Sequence, residues 1–369
     1  MTQSSSPRLD VHNDVVAHLG ESSIENESVD AIIRSSVNNR YPLMSTDEKS
    51  RLISTLIHDV TGYGFLEELF HDESVNEIMI NSSSTVYLDK AGVFHKVDIQ
   101  TTIDELVRLV QKIAGSVGAR CDVSSPIVDA WLDDGSRVHA VLPPIAPDGP
   151  YITIRRFIAR SFELHQFCED ENQENSIRDI ISCARNVIVA GGTSSGKTTL
   201  LNCMIHHVDK NQRVVSIEET AELHTDHPHC VRLLARAANS EGAGAVSLGD
   251  LVKASLRMRP DRIVVGEVRG KEAFDLVQAL NTGHDGSLCT IHANGPREVI
   301  HRLASLAMFA QPGLDYQAIV TQVVYGIDTI IFVKKSTKGR RVIDSISHIQ
   351  RDENRFQILN TFTGETTDV

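Results

Sequence analysis

Residues 191–198 read Gly-Gly-Thr-Ser-Ser-Gly-Lys-Thr, a complete GxxxxGK[ST] match, and no other stretch of the 369 residues restricts the fold as strongly. An apolar run, 186–190, precedes it, and Thr198-Thr199-Leu200-Leu201 opens a helical run behind it. Strand, glycine-rich turn and helix form the context in which this pattern cradles phosphate. Backbone N–H groups of the turn and the positive end of the helix collect negative oxygens. Gly191, Gly192, Thr193, Ser194, Ser195, Gly196, Lys197, Thr198 and Thr199 would form that cradle. Lys197 would reach the β- and γ-phosphates, and Thr198 would offer its hydroxyl to Mg2+. The implied ligand is a nucleoside triphosphate.

The rhythm around the motif agrees with it. Buried-type strands at 187–190, 214–217 and 263–265 alternate with helical stretches, which predicts a doubly wound α/β domain: a parallel sheet with helices on both faces, over 177–369. Antiparallel strands are expected at 329–335, 342–349 and 356–362, the first two joined through 337–341. Residues 45–165 read differently, as a smaller α+β domain. Ser45–Glu48 and Thr102–Glu105 are capping boxes, each opening an apolar helical stripe. Short strands are expected at 75–80, 86–88, 138–142 and 151–157, with a turn at Asp133-Asp134-Gly135. The polar run CEDENQENS at 168–176 suggests a linker over 166–176. Residues 1–44 read as a mobile acidic and serine-rich tail with a short helix near 29–33.

Composition narrows the function. Lys and Arg total 36 against 49 Asp and Glu, a net charge of −13, which argues against a general grip on nucleic acid and leaves only a local basic groove open. No run approaches the eighteen apolar residues of a membrane span, and the start, MTQSSSPRLD, has no signal-peptide pattern. The six cysteines are scattered without a CxxC pair, so free thiols and a cytoplasmic location are expected.

A phosphate cradle needs carboxylates before it can hydrolyse anything. The apolar strand 262–266 ends in Glu267, the position of a metal-holding acid at the carboxyl edge of a parallel sheet, although a strand-capping glutamate would read the same. A second strand ends in Glu218-Glu219, with Glu222 one turn on; the alternative is a solvated helix start. His284 and His292 bracket the run 286–291 and suggest a sensor of the γ-phosphate or of a neighbouring subunit. His224, His227, His229 and Cys230 fit no zinc spacing and read as a surface loop. Arg137 and Arg155 point away from the first domain's apolar face, either as solubilising charges or in service of the triphosphate.

Taken in order, these segments resemble the type II/type IV secretion ATPase superfamily, and within it the CpaF-type tight-adherence (Flp) pilus-assembly ATPases. The segments are GYGFLEELFHDESVNEIMIN (62–81), SSPIVDAWLDDGSRVHAVLPP (124–144), ITIRRF (152–157), VIVAGGTSSGKTTLLN (187–202), VVSIEETAEL (214–223), LRMRPDRIVVGEVRG (256–270) and TGHDGSLCTIHAN (282–294). The resemblance implies a RecA-like P-loop ATPase domain and Mg2+-dependent ATP hydrolysis. It implies that Thr198 and Glu267 serve the metal, that Glu218 activates water, and that His284 and His292 form a His box. Arg137 and Arg155, with Arg120 a weaker candidate, would complete the site across a homo-hexamer interface. The partner implied is an inner-membrane platform protein at the cytoplasmic face of the membrane. One departure stands out: Glu218-Glu219 replaces the usual Glu-Asp. Two rival readings are a DNA translocase or helicase, which needs a basic or aromatic groove, and a switch that holds ATP without turnover.

Overall fold

The computed structural model describes Val11, Val15 and residues 28–369 other than 91, 100, 133, 157–161, 239–241, 337–338, 353–354 and 362. Most of the expected tail, Asp133 of the expected turn, and Phe157 and Phe362 of two expected strands lie outside those residues. The chain divides into two compact units, Met1–Ile158 and Ala159–Val369.

In the first unit, helices α1 (Val29–Arg40) and α2 (Thr46–Thr61) share a small core of Val11, Val15, Ile32, Ile33, Val37, Ile53 and Leu56. The end of the expected tail is thus a 12-residue helix, capped by the Ser28 hydroxyl, because Ile32, Ile33 and Val37 have a partner helix to bury against. Both capping boxes form. Helix α3 (Leu66–His71) leads into a six-stranded antiparallel sheet, ordered β3-β2-β1-β6-β5-β4. Its strands are β1 (Val75–Ser82), β2 (Thr85–Lys90), β3 (Val93–Val97), β4 (Ile127–Trp131), β5 (Arg137–Val141) and β6 (Tyr151–Arg155). Strands β3 and β4 have weak alternation and went unread in the sequence. Helix α4 (Ile103–Ser116) packs Leu106, Leu109, Val110, Ile113 and Ala114 into this unit's core, whereas Ile103 is exposed. Arg156 anchors the sheet to α3: its guanidinium donates to the carbonyls of Leu69, Phe70, Asp72 and Val75.

The second unit holds a nine-stranded mixed sheet. Five parallel pairings link β12 (Thr329–Lys335), β7 (Val187–Gly191), β11 (Leu288–His292), β10 (Arg262–Val268), β8 (Val214–Glu218) and β9 (Cys230–Leu234). Antiparallel strands β13 (Arg341–Asp352), β14 (Arg355–Asn360) and β15 (Thr366–Asp368) extend it past β12. Strands β7, β8 and β10 are buried almost throughout, as a sheet covered on both faces requires. The α/β expectation holds, with a smaller sheet domain ahead of it.

The expected linker is different. From Asp170, whose side chain caps the first turn, residues Glu171–Ser182 form helix α5 and bury Ile177, Ile180 and Ile181. Its acids belong to a favourable first turn, not to a solvated connection. The histidine-rich run is a loop leading into β9, as expected, with His224 and His229 exposed, but it is pinned at one point. His227 is buried with Nε2 against the Asp209 carbonyl, His229 meets the Arg213 guanidinium, and Cys230 begins β9.

Arg262 is the largest fully buried side chain among the described residues. Its guanidinium donates to Gln212 Oε1, the Gly286 carbonyl and the Ile181 carbonyl, tying α5 and the entry of β11 to β10. Arg262→Ala would leave these acceptors buried and open a cavity. The expected loss is about 3 kcal/mol or more, read as a lowered urea midpoint for the second unit.

Candidate active site

Strand β7 delivers its last residue, Gly191, to a turn that no side chain could enter: a Cβ there would lie 2.3 Å from the Val333 carbonyl oxygen and 2.7 Å from Ser195 Oγ. The Gly192 carbonyl then accepts from both Ser195 Oγ and Lys197 Nζ at 2.9 Å. Gly196, with φ of 97°, turns the chain into helix α6 (Lys197–His206). The first N–H groups of α6 lack intrahelical partners by helix geometry, so the turn and helix face a ligand with donors. Burial of the Lys197 side chain lowers the ammonium pKa, and Glu267 and Glu222 oppose that effect. The residues of the expected cradle thus fold around one buried lysine.

Strand register places the other groups. His292 pairs with Gly191 across β11 and β7, at the cradle's edge. On β10, Val265 pairs with Cys289 and Val268 with Ile291, so an extra residue is accommodated at Gly266-Glu267. This bulge re-aims Glu267. Its Gly266 carbonyl is satisfied by Thr290 Oγ1 at 2.6 Å. A Cβ on Gly266 would meet Glu218 Cγ at 3.1 Å, so glycine here leaves room for the acid at the end of β8.

Glu218 is 2% exposed. Its Oε1 accepts from the backbone N–H groups of Glu222 (2.9 Å) and Leu223 (2.7 Å), while Oε2 is buried with no protein partner. Burial pushes its pKa up to about 7, against the pull of the two backbone bonds. A carboxylate fixed by one oxygen, with the other free and a pKa near neutrality, has the properties of a general base.

Two arginines that the sequence reading did not single out complete the surroundings. Arg269, two residues beyond Glu267 on the same strand end, donates to Glu267 Oε2 through Nε at 2.9 Å and through Nη2. Its Nη1 lies 3.6 Å from Glu219 Oε2. The only local signal was that i, i+2 spacing at the end of a strand. Arg341, at the start of β13, donates to Thr199 Oγ1 at 3.3 Å and lies over the Phe162 ring. Strand pairing across 142 residues brings it to the first turn of α6, and no local pattern announces such a contact.

The remaining expectations divide. His284 precedes β11, at the opposite end of that strand from His292, and its Nδ1 faces the Ala279 carbonyl at 3.3 Å. One parallel strand cannot bring both histidines to one edge, so the structure does not gather His284 at the cradle. Arg137 and Arg155 are direct cross-strand partners on the open face of the first unit's sheet. Asp129 holds Arg137 at 3.1 Å, with Trp131 beneath its guanidinium. Arg120 pairs with Asp122.

Among the described residues, no group of three or more His, Cys, Asp or Glu side chains could hold a metal by itself. The Thr198 hydroxyl and Glu267 carboxylate are nonetheless a donor set that suits Mg2+, which takes few protein ligands and completes its shell with phosphate and water. All six cysteines are free.

Comparison with known proteins agrees with this layout. The family described as type II/IV secretion system protein matches residues 59–346. The chain belongs to that family. A Mycobacterium tuberculosis protein whose name proposes a role in conjugal transfer is 37% identical over 315 residues, covering 82% of this chain and 89% of the relative. Protein VirB11 of Agrobacterium fabrum is 30% identical over 300 residues, covering 72% and 86%. Among solved structures, the pilus retraction motor PilT with bound ADP superposes with a TM-score of 0.55 at 18% identity, over 76% of this chain and 80% of that one, which shows a shared fold. No helix among the described residues is long and apolar enough to cross a membrane.

Proposed function

We propose that this protein is a Mg2+-dependent ATPase motor of a pilus or secretion machine, and that it works as a homo-hexamer on the cytoplasmic face of the inner membrane. The observation that carries the reading is the Glu218 carboxyl, buried with one oxygen free on the sheet edge that holds the Lys197 cradle. A mere nucleotide-holding switch has no use for a buried acid with a raised pKa.

In this reading the α6 N-terminus and Lys197 bind and orient the triphosphate. The Glu218 oxygen without a protein partner accepts a proton from the attacking water. Thr198 and Glu267 would hold the metal, which would supply charge neutralisation to the triphosphate. His292, paired with Gly191 across the strands, would meet the γ-phosphate. Arg137 and Arg155 of a neighbouring subunit would neutralise developing charge, and His284 would face a subunit boundary. The relatives named for conjugal transfer and the CpaF-like segments agree on a secretion-type machine; within it we favour pilus assembly through an inner-membrane platform protein.

The competing DNA-translocase reading makes a different prediction. Steady-state Mg2+-ATP hydrolysis by the purified protein is expected to be indifferent to single-stranded DNA, given the net charge of −13. Stimulation by DNA of about tenfold or more would favour translocation instead.

A further inference from the structure

Arg269 has no part in the mechanism above, yet its guanidinium is bonded to Glu267. Two of its nitrogens donate to the same oxygen, Glu267 Oε2, and its third lies 3.6 Å from Glu219. The segment is short and held from the other side: the Arg269 and Gly270 N–H groups both donate to Glu272 Oε1, at 2.6 and 2.7 Å. The backbone is thereby fixed, and only the guanidinium is free to move between two acids. A carboxylate oxygen that accepts two guanidinium bonds is poorly placed to serve a divalent cation at the same time. The arginine and the metal are alternative partners of one oxygen.

We propose that Arg269 is a positioning residue that competes with the metal for Glu267, and that Glu219 is the acid to which its guanidinium moves when Glu267 takes up Mg2+ with nucleotide. This deepens the nucleotide-site reading and rests on it. It also gives the Glu-Glu variation of the acid pair a purpose: the second acid here receives the displaced arginine, and the longer glutamate side chain reaches Arg269 from the end of the neighbouring strand β8. No proton is transferred in the exchange. One ion pair is replaced by another as the cation arrives, so the two acids never face each other without a positive charge.

Removing the arginine and removing its second acid predict opposite effects, which a general loss of folding cannot mimic. A fluorescent ATP analogue is titrated onto the full-length protein in EDTA, and Mg2+ is then titrated into the complex to find the concentration giving half of the metal-dependent signal change. In Arg269→Gln the competitor is gone, and the Mg2+ midpoint is expected to fall about threefold, the scale of a partly exposed ion pair. In Glu219→Gln the arginine has lost its alternative partner, and the midpoint is expected to rise by a similar factor. Glu219→Asp keeps the charge and should lie closer to the wild type than Glu219→Gln does. An unchanged or raised midpoint in Arg269→Gln, or a lowered one in Glu219→Gln, overturns the inference while nucleotide binding itself stands. Failure of the wild type to bind the analogue at all would instead overturn the nucleotide-site reading beneath it.

Discussion

Lys197→Ala is expected to weaken ATP binding by roughly 30- to 5,000-fold, the 2–5 kcal/mol scale of a buried charge-assisted contact, and to reduce hydrolysis to background. Fluorescent-nucleotide titration and steady-state turnover would read the two effects. The reason lies in what the lysine does for the protein alone. Its ammonium is drawn into the turn, donates to the Gly192 carbonyl at 2.9 Å, and is buried deeply enough that its pKa is lowered. Burying that charge costs stability, so the site is built at the expense of the fold. Thermal unfolding of Lys197→Ala should therefore occur at or above the wild-type midpoint. A variant that lost nucleotide together with several degrees of stability would mean that Lys197 is a structural strut, and that its contact with Gly192 matters more than any phosphate.

How much of this was legible in the sequence follows the range of the interactions. The cradle was readable because all of its parts lie within nine residues, and the strand-turn-helix context is written in neighbouring residues. Glu218 and Glu267 were readable for a related reason: a parallel strand of buried residues ending in an acid can put that acid only at the carboxyl edge. The misreadings came where local composition was overruled by tertiary contact. CEDENQENS looks like a linker until Asp170 caps a helix whose buried isoleucines lie just beyond the polar run. The histidine run is a loop as it reads, but the burial of His227 against the Asp209 carbonyl is set by a partner eighteen residues away. The pairing of Arg269 with two acids, and the arrival of Arg341 from the antiparallel extension, belong to the same class. Spacing identifies which residues share a strand end, but only the folded chain shows which charges meet there. His284 marks the converse limit, because two histidines in one motif suggest one site, and strand direction separates them.

Glu218→Gln should abolish hydrolysis, with a fall of about 10^2- to 10^4-fold in turnover, while ATP affinity stays within about twofold of the wild type. The substitution is close to isosteric. The amide oxygen can still accept from the Glu222 and Leu223 N–H groups, and the amide nitrogen takes the place of the oxygen that has no protein partner. What is lost is a group able to take a proton from water. The ionised form is the base, so wild-type turnover should rise with pH along a single acid limb near 7. The residual turnover of Glu218→Gln should lack that limb. Stability gives an independent check of sign. A carboxyl whose pKa is raised on folding binds its proton more tightly in the native state, so its contribution is fully present below about 4.5 and is lost as pH rises through about 7. Above pH 7 the wild type carries a buried charge that Glu218→Gln does not, and the variant is expected to unfold at the higher temperature. Normal turnover in Glu218→Gln would remove this residue from the role of base; a stability difference without a turnover difference would leave it a buried acid retained for some other purpose.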